Sequence, residues 1–379
     1  MKLKRFIQQE TVLTVAIILA VISVLFVCPD RQYIGYIDFR TLGMLFSLMT
    51  VMAGLRRQGV FERVGQALLE RSGGMLTLVL VLVGLCFFGS MFITNDVALL
   101  TFVPFTFAVL GNMEEEIRSR LAVPVVCMQT VAANLGSMLT PMGNPQNLYL
   151  YGKSSVGMGP FVCLMFPYTM VSLVLLIGWT IGLCYRQKGR ISTMFVEKRE
   201  LPPCDKRIVA FYGFLFVICL LSVVHILPYG IVFILVLAVT VCVDRLTLPC
   251  VDYSLLLTFV AFFIFIGNLG RIPVFSTWLQ EMVSGREVFV AVLASQVTSN
   301  VPAALLLSGF TSNTEALIIG TNLGGLGTLI ASMASLISYR QIAREIPQSK
   351  GKYFRMFTIS NLIFLGILLV VYLFLDQWA

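Results

Sequence analysis

Apolar residues in this chain run in long blocks separated by short polar stretches. Blocks at about 11–28, 37–55, 161–184, 208–226, 230–244, 252–269 and 355–375 are each long enough to be read as a helix crossing a membrane. Blocks 119–152 and 315–340 are also apolar, but proline, glycine and polar residues interrupt them, which predicts broken helices. Two segments remain, 75–111 and 286–310, each a pair of apolar arms around a polar tip. The arm 302–310 is about 14 Å long as a helix, against a hydrocarbon core of roughly 30 Å, so it reaches only the midplane. Segment 286–310 is therefore expected to be a re-entrant hairpin. Segment 75–111 is longer, and either a double crossing or a re-entry returns to the same side. It is read as re-entrant by analogy with the second segment.

Composition supports the membrane reading. The chain is 58% hydrophobic and 12% charged, about half the charged share of a soluble domain. The run Thr11 to Cys28 is long enough to span, and no small-x-small cleavage site follows, so it is not read as a signal peptide. The net charge of +8 sits in loops and does not point to nucleic acid. Lys2, Lys4 and Arg5 place the N-terminus in the cytoplasm; Arg56, Arg57, Arg63 and Arg71 mark the next inner segment. Seven basic residues between 186 and 207, against three acids, mark a third. Arg340, Arg344, Lys350, Lys352 and Arg355 mark the last. All fall on one side only if the chain crosses nine times. The predicted location is a cell membrane, the inner membrane of a bacterium. Nine scattered cysteines form no metal-binding spacing, and the single histidine, His225, sits at a helix end where a structural or solvated role is expected.

The polar interruptions recur in the same order in the two halves. Ile37-Asp38-Phe39, Thr94-Asn95-Asp96 and Asn134-Leu135-Gly136-Ser137 running on to Thr140 are followed by Val251-Asp252-Tyr253, Ser299-Asn300-Val301 and Asn322-Leu323-Gly324-Gly325 running on to Thr328. Amphipathic stretches, Gly59 to Arg71 and Pro273 to Ser284, precede the hairpins, and Asp38 to Phe61 has the same spacing as Asp252 to Phe275. The predicted organisation is a first repeat at 1–185, a cytoplasmic linker at 186–207, an extra helix at 208–227 and a second repeat at 228–379. The extra helix makes the count between repeats odd, so the second is inverted. The fold class is thus an all-α polytopic membrane protein with an inverted repeat, nine crossings and two re-entrant hairpins.

The chemistry is expected at the four breaks. Pro141 and Pro145 each remove a backbone donor, and Asn144-Pro145 reads as an N-cap and first residue restarting a half-helix. Ser332 takes the same place after Gly324-Gly325-Leu326-Gly327-Thr328. Four helix N-termini would then point at one midplane site and suit an anion. Its candidate contacts are Thr94, Asn95, Ser137, Thr140, Gly143, Asn144, Asn147, Ser299, Asn300, Thr328 and Ser332. Unwound carbonyls and side chains suit a small coupling cation beside it, with Asn95, Asp96, Asn134, Gly136, Asn300, Asn322 and Gly324 as candidates. Asp96 is the only carboxylate placed at mid-depth, a functional candidate by default unless the first hairpin crosses fully and leaves it in outside water. The bland readings are packing hydrogen bonds for the asparagines and close helix contacts for the glycines. The run Glu114-Glu115-Glu116 beside Arg118 and Arg120 reads as a solvated hairpin end.

At Thr94-Asn95-Asp96, Thr140 to Asn147 and Gly324 to Thr328 the sequence resembles the ion transporter superfamily, specifically short citrate-transporter-like anion permeases. These are relatives of the divalent anion/sodium symporters and the arsenite permeases. The likeness runs over roughly 30–376, and against fuller members the chain is read as lacking an opening helix. It implies that Thr94-Asn95 and Ser299-Asn300 form two substrate- and sodium-binding hairpin tips, and that Gly143 to Asn147 is the matching unwound loop. It also implies a homodimer through outer helices. The chain departs at Asp96, where sodium symporters carry Thr, at Val301, and at Ala331 to Ser335, which lacks a Pro-Pro-Asn. A carboxylate at the tip is similar to the arsenite-permease and sodium/proton-antiporter branches. The expected function is secondary active transport of a small anion, a carboxylate or inorganic oxyanion, coupled to Na⁺ or H⁺ by elevator-like alternating access, with no cofactor beyond Na⁺ as a coupling ion. The alternative is an arsenite-type permease or Na⁺/H⁺ antiporter on the same fold. An intramembrane enzyme would need a nucleophile with a base, a metal cluster or a carboxylate pair, and none is evident.

Overall fold

The computed structural model describes residues 10–70, 73–111, 113–154, 156–185 and 204–377. The basic N-terminus, Arg71 and most of the linker at 186–207, which carry part of the orientation argument, lie outside the described residues. Among the described residues the regular secondary structure is all helical, without a strand.

The first half holds α1 (Thr11–Val24), α2 (Gln32–Tyr36), α3 (Phe39–Arg57) and α4 (Val60–Leu69). The hairpin arms α5 (Met75–Ile93) and α6 (Asn95–Gly111) follow, then α7 (Glu115–Gly136), α8 (Pro145–Lys153) and α9 (Met158–Tyr185). After α10 (Lys206–Val223) come α11 (Tyr229–Val243), α12 (Tyr253–Gly270), α13 (Pro273–Val283), the arms α14 (Glu287–Thr298) and α15 (Asn300–Leu307), then α16 (Thr314–Gly324), α17 (Met333–Glu345) and α18 (Lys350–Asp376). Among the described residues six helices are long and apolar enough to cross a membrane: α5, α7 with its extension to Leu139, α9, α10, α12 and α18 with its lead-in from Pro347. Arm α5 is thus long enough to cross, at 19 residues or about 28 Å, whereas α14 and α15 have 12 and 8 residues.

Sequence chemistry explains the boundaries that matter. Asp38 caps α3 by accepting from the Thr41 amide at 3.0 Å, and Asp252 caps α12 by accepting from the Leu255 amide at 3.0 Å. Both expected breaks are present. Between Gly136 and Pro145 the chain forms two short 3₁₀ turns, Ser137–Leu139 and Pro141–Gly143. Between Gly324 and Met333 it is non-helical.

Burial divides the helices into centre and periphery. The apolar window of α7 is 100% buried, against 33% for α9 and 28% for α10 and α18. The outer helices present bare apolar side chains, such as Phe214 (64% exposed) and Ile234 (65%), over a surface too large for water to solvate favourably but suited to lipid. This is a polytopic membrane protein. The periphery is interlocked: α1 packs on α12, and α11 on α3, so each half's opening helix lies on the other half. An ion pair joins Arg57 to Asp244 at 2.7 Å, and another joins Arg271 to Asp30 at 2.8 Å. Each links the C-terminal end of α3 or α12 to the segment preceding the other. The Glu114 run behaves as expected, with Arg118–Glu115 and Arg120–Glu116 pairs in exposed positions. His225 touches Arg40 and stacks on Tyr151, centroids 5.4 Å apart.

Candidate functional site

The tip of each hairpin turns on a non-glycine residue with positive φ. Thr94 has φ 66° and ψ 149°; Ser299 has φ 79° and ψ 155°. This corner of backbone space belongs almost entirely to glycine and costs on the order of 1–3 kcal/mol. Two matching strained residues, one per tip, hold the turn that starts α6 and α15.

Each tip is then tied to the break in its own half by the same pair of contacts. The Thr140 hydroxyl donates to the carbonyl of Met91, three residues before Thr94. The Thr328 hydroxyl donates to the carbonyl of Gln296, three residues before Ser299, at 3.1 Å. A Cβ on Gly136 would overlap the Phe87 carbonyl, and one on Gly324 would overlap the Ser295 side chain, so α7 and α16 approach the hairpin arms as only glycine allows. These glycines are close-contact residues in both halves.

A network of amides and hydroxyls joins the halves. Asn134 accepts from the Asn95 amide at 3.2 Å and from the Ser332 hydroxyl at 3.0 Å, and donates to the Ser335 hydroxyl at 3.3 Å. Asn322, the residue matching Asn134, donates to Asn147 Oδ1 at 2.7 Å. Asn147 and Ser335 occupy matching positions, so the two cross-links are reciprocal. On the second tip, the backbone N–H of Asn300 donates to the Ala331 carbonyl at 2.9 Å, and the Ser299 hydroxyl donates to the same carbonyl at 3.4 Å. The two tips and two breaks therefore meet in one buried cluster.

A cavity of about 490 Å³ opens onto this cluster from one side. Of the expected site residues, Thr94, Asp96 and Asn144 line it. Leu45, Leu48 and Met49 of α3 form the opposite wall, and Arg56, Arg57, Glu62 and Asp252 also line it. Arg57 is neutralised by Asp244. Asp96 Oδ1 is buried without a hydrogen-bond partner.

The corresponding position by the second tip is closed. There α12 packs directly on α15, where α3 and α6 are parted by the cavity. Tyr149 of α8 seals it, its hydroxyl 2.8 Å from Ser308 Oγ and its ring against Phe259 and Phe263 of α12. Lys153 donates to the Ser308 carbonyl.

Several expected residues have a different placement. Ser137 is fully buried and serves the loop itself, accepting from the Asn144 side chain and donating to the Asn134 carbonyl at 2.9 Å. Asn147 likewise reaches the Ser137 and Thr140 carbonyls at 3.4 and 3.3 Å. A Cβ on Gly143 would overlap the Ser137 carbonyl, so this glycine makes room for the loop. Thr328 is exposed. Sequence reasoning passed over Gln296, which donates to the carbonyls of Gly324 at 3.1 Å and Leu326 at 2.9 Å and accepts from the Thr328 amide at 2.9 Å. A lone glutamine three residues before a polar tip, inside an apolar arm, was the available signal. Asp252, Arg56, Gln146 and Ser335 read in the sequence as repeat, loop-charge or motif residues, not as site candidates.

Several known proteins are similar to this chain in sequence. An uncharacterized transporter of Methanocaldococcus jannaschii is 32% identical over 306 residues, covering 80% of this chain and 81% of that protein. The inner membrane protein YbiR of Escherichia coli K12 is 30% identical over 332 residues, 86% of each. A silicon efflux transporter of rice, Oryza sativa subsp. japonica, is 29% identical over 160 residues, 42% of this chain and 32% of that protein. The family profile described as citrate transporter matches residues 7–316. With its broken helices gathered round a buried polar cluster, the chain belongs to the citrate transporter family: it is a membrane transporter of a small solute and not an enzyme.

Proposed function

We propose that this protein is a secondary active transporter of a small anion, a carboxylate or inorganic oxyanion, coupled to Na⁺ or H⁺. The observation that carries the reading is the reciprocal network Asn95–Asn134–Ser335 and Asn322–Asn147, which joins the first tip to both breaks, with the Asn300 backbone N–H on the Ala331 carbonyl adding the second tip. In this reading the halves are inverted copies, nine crossings put the N-terminus and the linker at 186–207 in the cytoplasm of a bacterium, and both hairpins re-enter. The solute sits where Thr94, Asn95, Asn144, Ser299, Asn300 and Ser332 converge. The half-helix starts at Pro145 and Met333 supply free N–H groups for its oxygen atoms. Asp96, with Asn95 and Asn134 behind it, holds the coupling cation or proton.

In this reading the cavity is the path of one access state, open beside the first tip and closed beside the second. Alternating access would exchange the two arrangements as the hairpins and broken helices slide against the interlocked periphery, an elevator-like movement. The Arg57–Asp244 and Arg271–Asp30 pairs suit a frame that stays fixed.

A second reading, permeation of a metalloid oxyacid, has support of its own. No Lys or Arg occurs within 94–96, 134–147, 299–302 or 322–335, and Asp96 is the one acidic residue there. A multiply charged anion would find no cationic side chain within these segments, only Arg56 and the paired Arg57 on the cavity lining. The partial likeness to the rice silicon efflux transporter points the same way.

The test is uptake into proteoliposomes of the full-length protein under an imposed Na⁺ or H⁺ gradient. Gradient-driven uptake of at least one oxyanion or oxyacid, lost in Asp96→Asn, is expected. Uptake no greater than in empty liposomes under both gradients, or unchanged coupling in Asp96→Asn, refutes the reading.

A further inference from the structure

Gln146 is fully buried, and neither its Oε1 nor its Nε2 has a hydrogen-bond partner. A buried amide left unpaired at both ends is destabilising, and native proteins keep few of them without a use. Its position suggests the use. Gln146 is the second residue of the half-helix α8, and Tyr149 and Leu150, three and four residues on, share its face. Tyr149 reaches Ser308 at the end of α15, so this face packs on the returning arm of the second hairpin. Gln146 therefore stands behind the seal made by Tyr149, Lys153 and Ser308, on the closed side of the cluster.

The balance of unpaired groups identifies what it would meet. Within the two tips and two breaks, four buried oxygens lack a donor: Asp96 Oδ1, Asn144 Oδ1, Gln146 Oε1 and Asn322 Oδ1. Only one buried side-chain nitrogen there, Gln146 Nε2, lacks an acceptor. The free N–H groups at the half-helix starts serve solute oxygens, and the surplus of side-chain acceptors beside them is complementary to a ligand that also brings hydrogen-bond donors. A fully ionised anion brings none.

Building on the transporter reading, we propose that Gln146 is a solute-contacting, specificity-determining residue of the sealed side, and that it selects a weak oxyacid in its hydroxylated, protonated form. Its Oε1 accepts from a solute O–H and its Nε2 donates to a solute oxygen when α8 and α15 part. Loss of such a contact discriminates strongly, because the solute hydroxyl is then left unpaired.

The experiment compares the full-length wild type with Gln146→Met and Gln146→Leu in proteoliposomes, using arsenous acid and boric acid as hydroxylated probes and sulfate and citrate as ionised ones, each with Na⁺ or choline. Thermal unfolding is followed in parallel. Both variants are expected to unfold at or above the wild-type temperature, since they remove an unpaired amide. Uptake of the hydroxylated probes should fall about tenfold or more relative to wild type. If both variants take up every probe like wild type, Gln146 is a buried orphan or holds a trapped water only, and the proposal is overturned. It is also overturned if wild type moves only sulfate or citrate, or if Gln146→Met loses a Na⁺-dependent stabilisation seen without any probe, which would make the acceptors a cation site. In both cases the transporter reading survives. No uptake of any probe by wild type sinks that reading and this proposal together.

Discussion

Replacing Asn134 with Leu tests whether the amide network holds the halves together. Asn134 makes three side-chain hydrogen bonds: from Asn95, from Ser332 and to Ser335. Leu fills similar space but leaves two donors and one acceptor stranded in a buried cluster. Each stranded group costs about 1–3 kcal/mol, and some relaxation is expected, so a loss of roughly 3–5 kcal/mol is reasonable. At about 2–4 °C per kcal/mol the unfolding temperature should fall by on the order of 10 °C. Asn361 supplies the control. It is equally buried, but its amide bonds only the Phe357 carbonyl of its own helix and its Oδ1 is unpaired. Asn361→Leu should be neutral or stabilising. The assay is thermal unfolding of the detergent-solubilised protein with both variants side by side. Equal shifts for the two, or no shift for Asn134→Leu, would refute the argument that this network carries stability.

Gly136→Ala should be strongly destabilising or abolish folding, because its methyl meets the Phe87 backbone, whereas Gly178→Ala, with no atom within 4 Å of the added carbon, should be tolerated; expression and monodispersity report both. Asp244 gives a pH dependence: partial burial raises its pKa, but hydrogen bonds from Thr247 and Arg57 and the charge of Arg57 outweigh this and hold it below its ordinary 3.8. A depressed carboxylate stabilises above its unfolded pKa and loses that contribution as pH falls through the folded value. Wild type should therefore lose unfolding temperature below about pH 4 by a margin that Asp244→Asn does not show, and identical acid profiles would contradict this.

Much of the architecture was legible because the membrane simplifies the code. Apolar blocks gave the helices, and Asn144-Pro145 and Ser332 correctly marked the restarts of α8 and α17, since few residue types can begin a helix. Repetition of Thr94-Asn95 and Ser299-Asn300 located the tips. Length was legible but did not decide the path: the arm before Thr94 reads as the longer one and α5 runs for 19 residues, yet a double crossing and a re-entry return to the same side. Within the site, residue type alone did not separate scaffold from lining. Ser137, Asn147 and Gly143 are as polar or as small as a ligand contact should be, yet they hold the unwound loop to itself. Gln146 lay inside the Thr140 to Asn147 motif without being a candidate, and Gln296 carried no motif; what singles them out is three-dimensional, an amide paired at neither end for Gln146 and a bridge to the second break for Gln296. The cavity's far wall comes from α3, distant in sequence from either break, which local pattern cannot foresee.

The central claim is that tips from different halves serve one solute site. It is tested most directly by equilibrium binding of a transported solute to Asn95→Ala and Asn300→Ala in the purified full-length protein. Both are expected to lose affinity by about tenfold or more, since each removes a side chain from the same buried cluster. Wild-type affinity in either variant, with the other abolished, would mean that one half binds alone and would contradict the account.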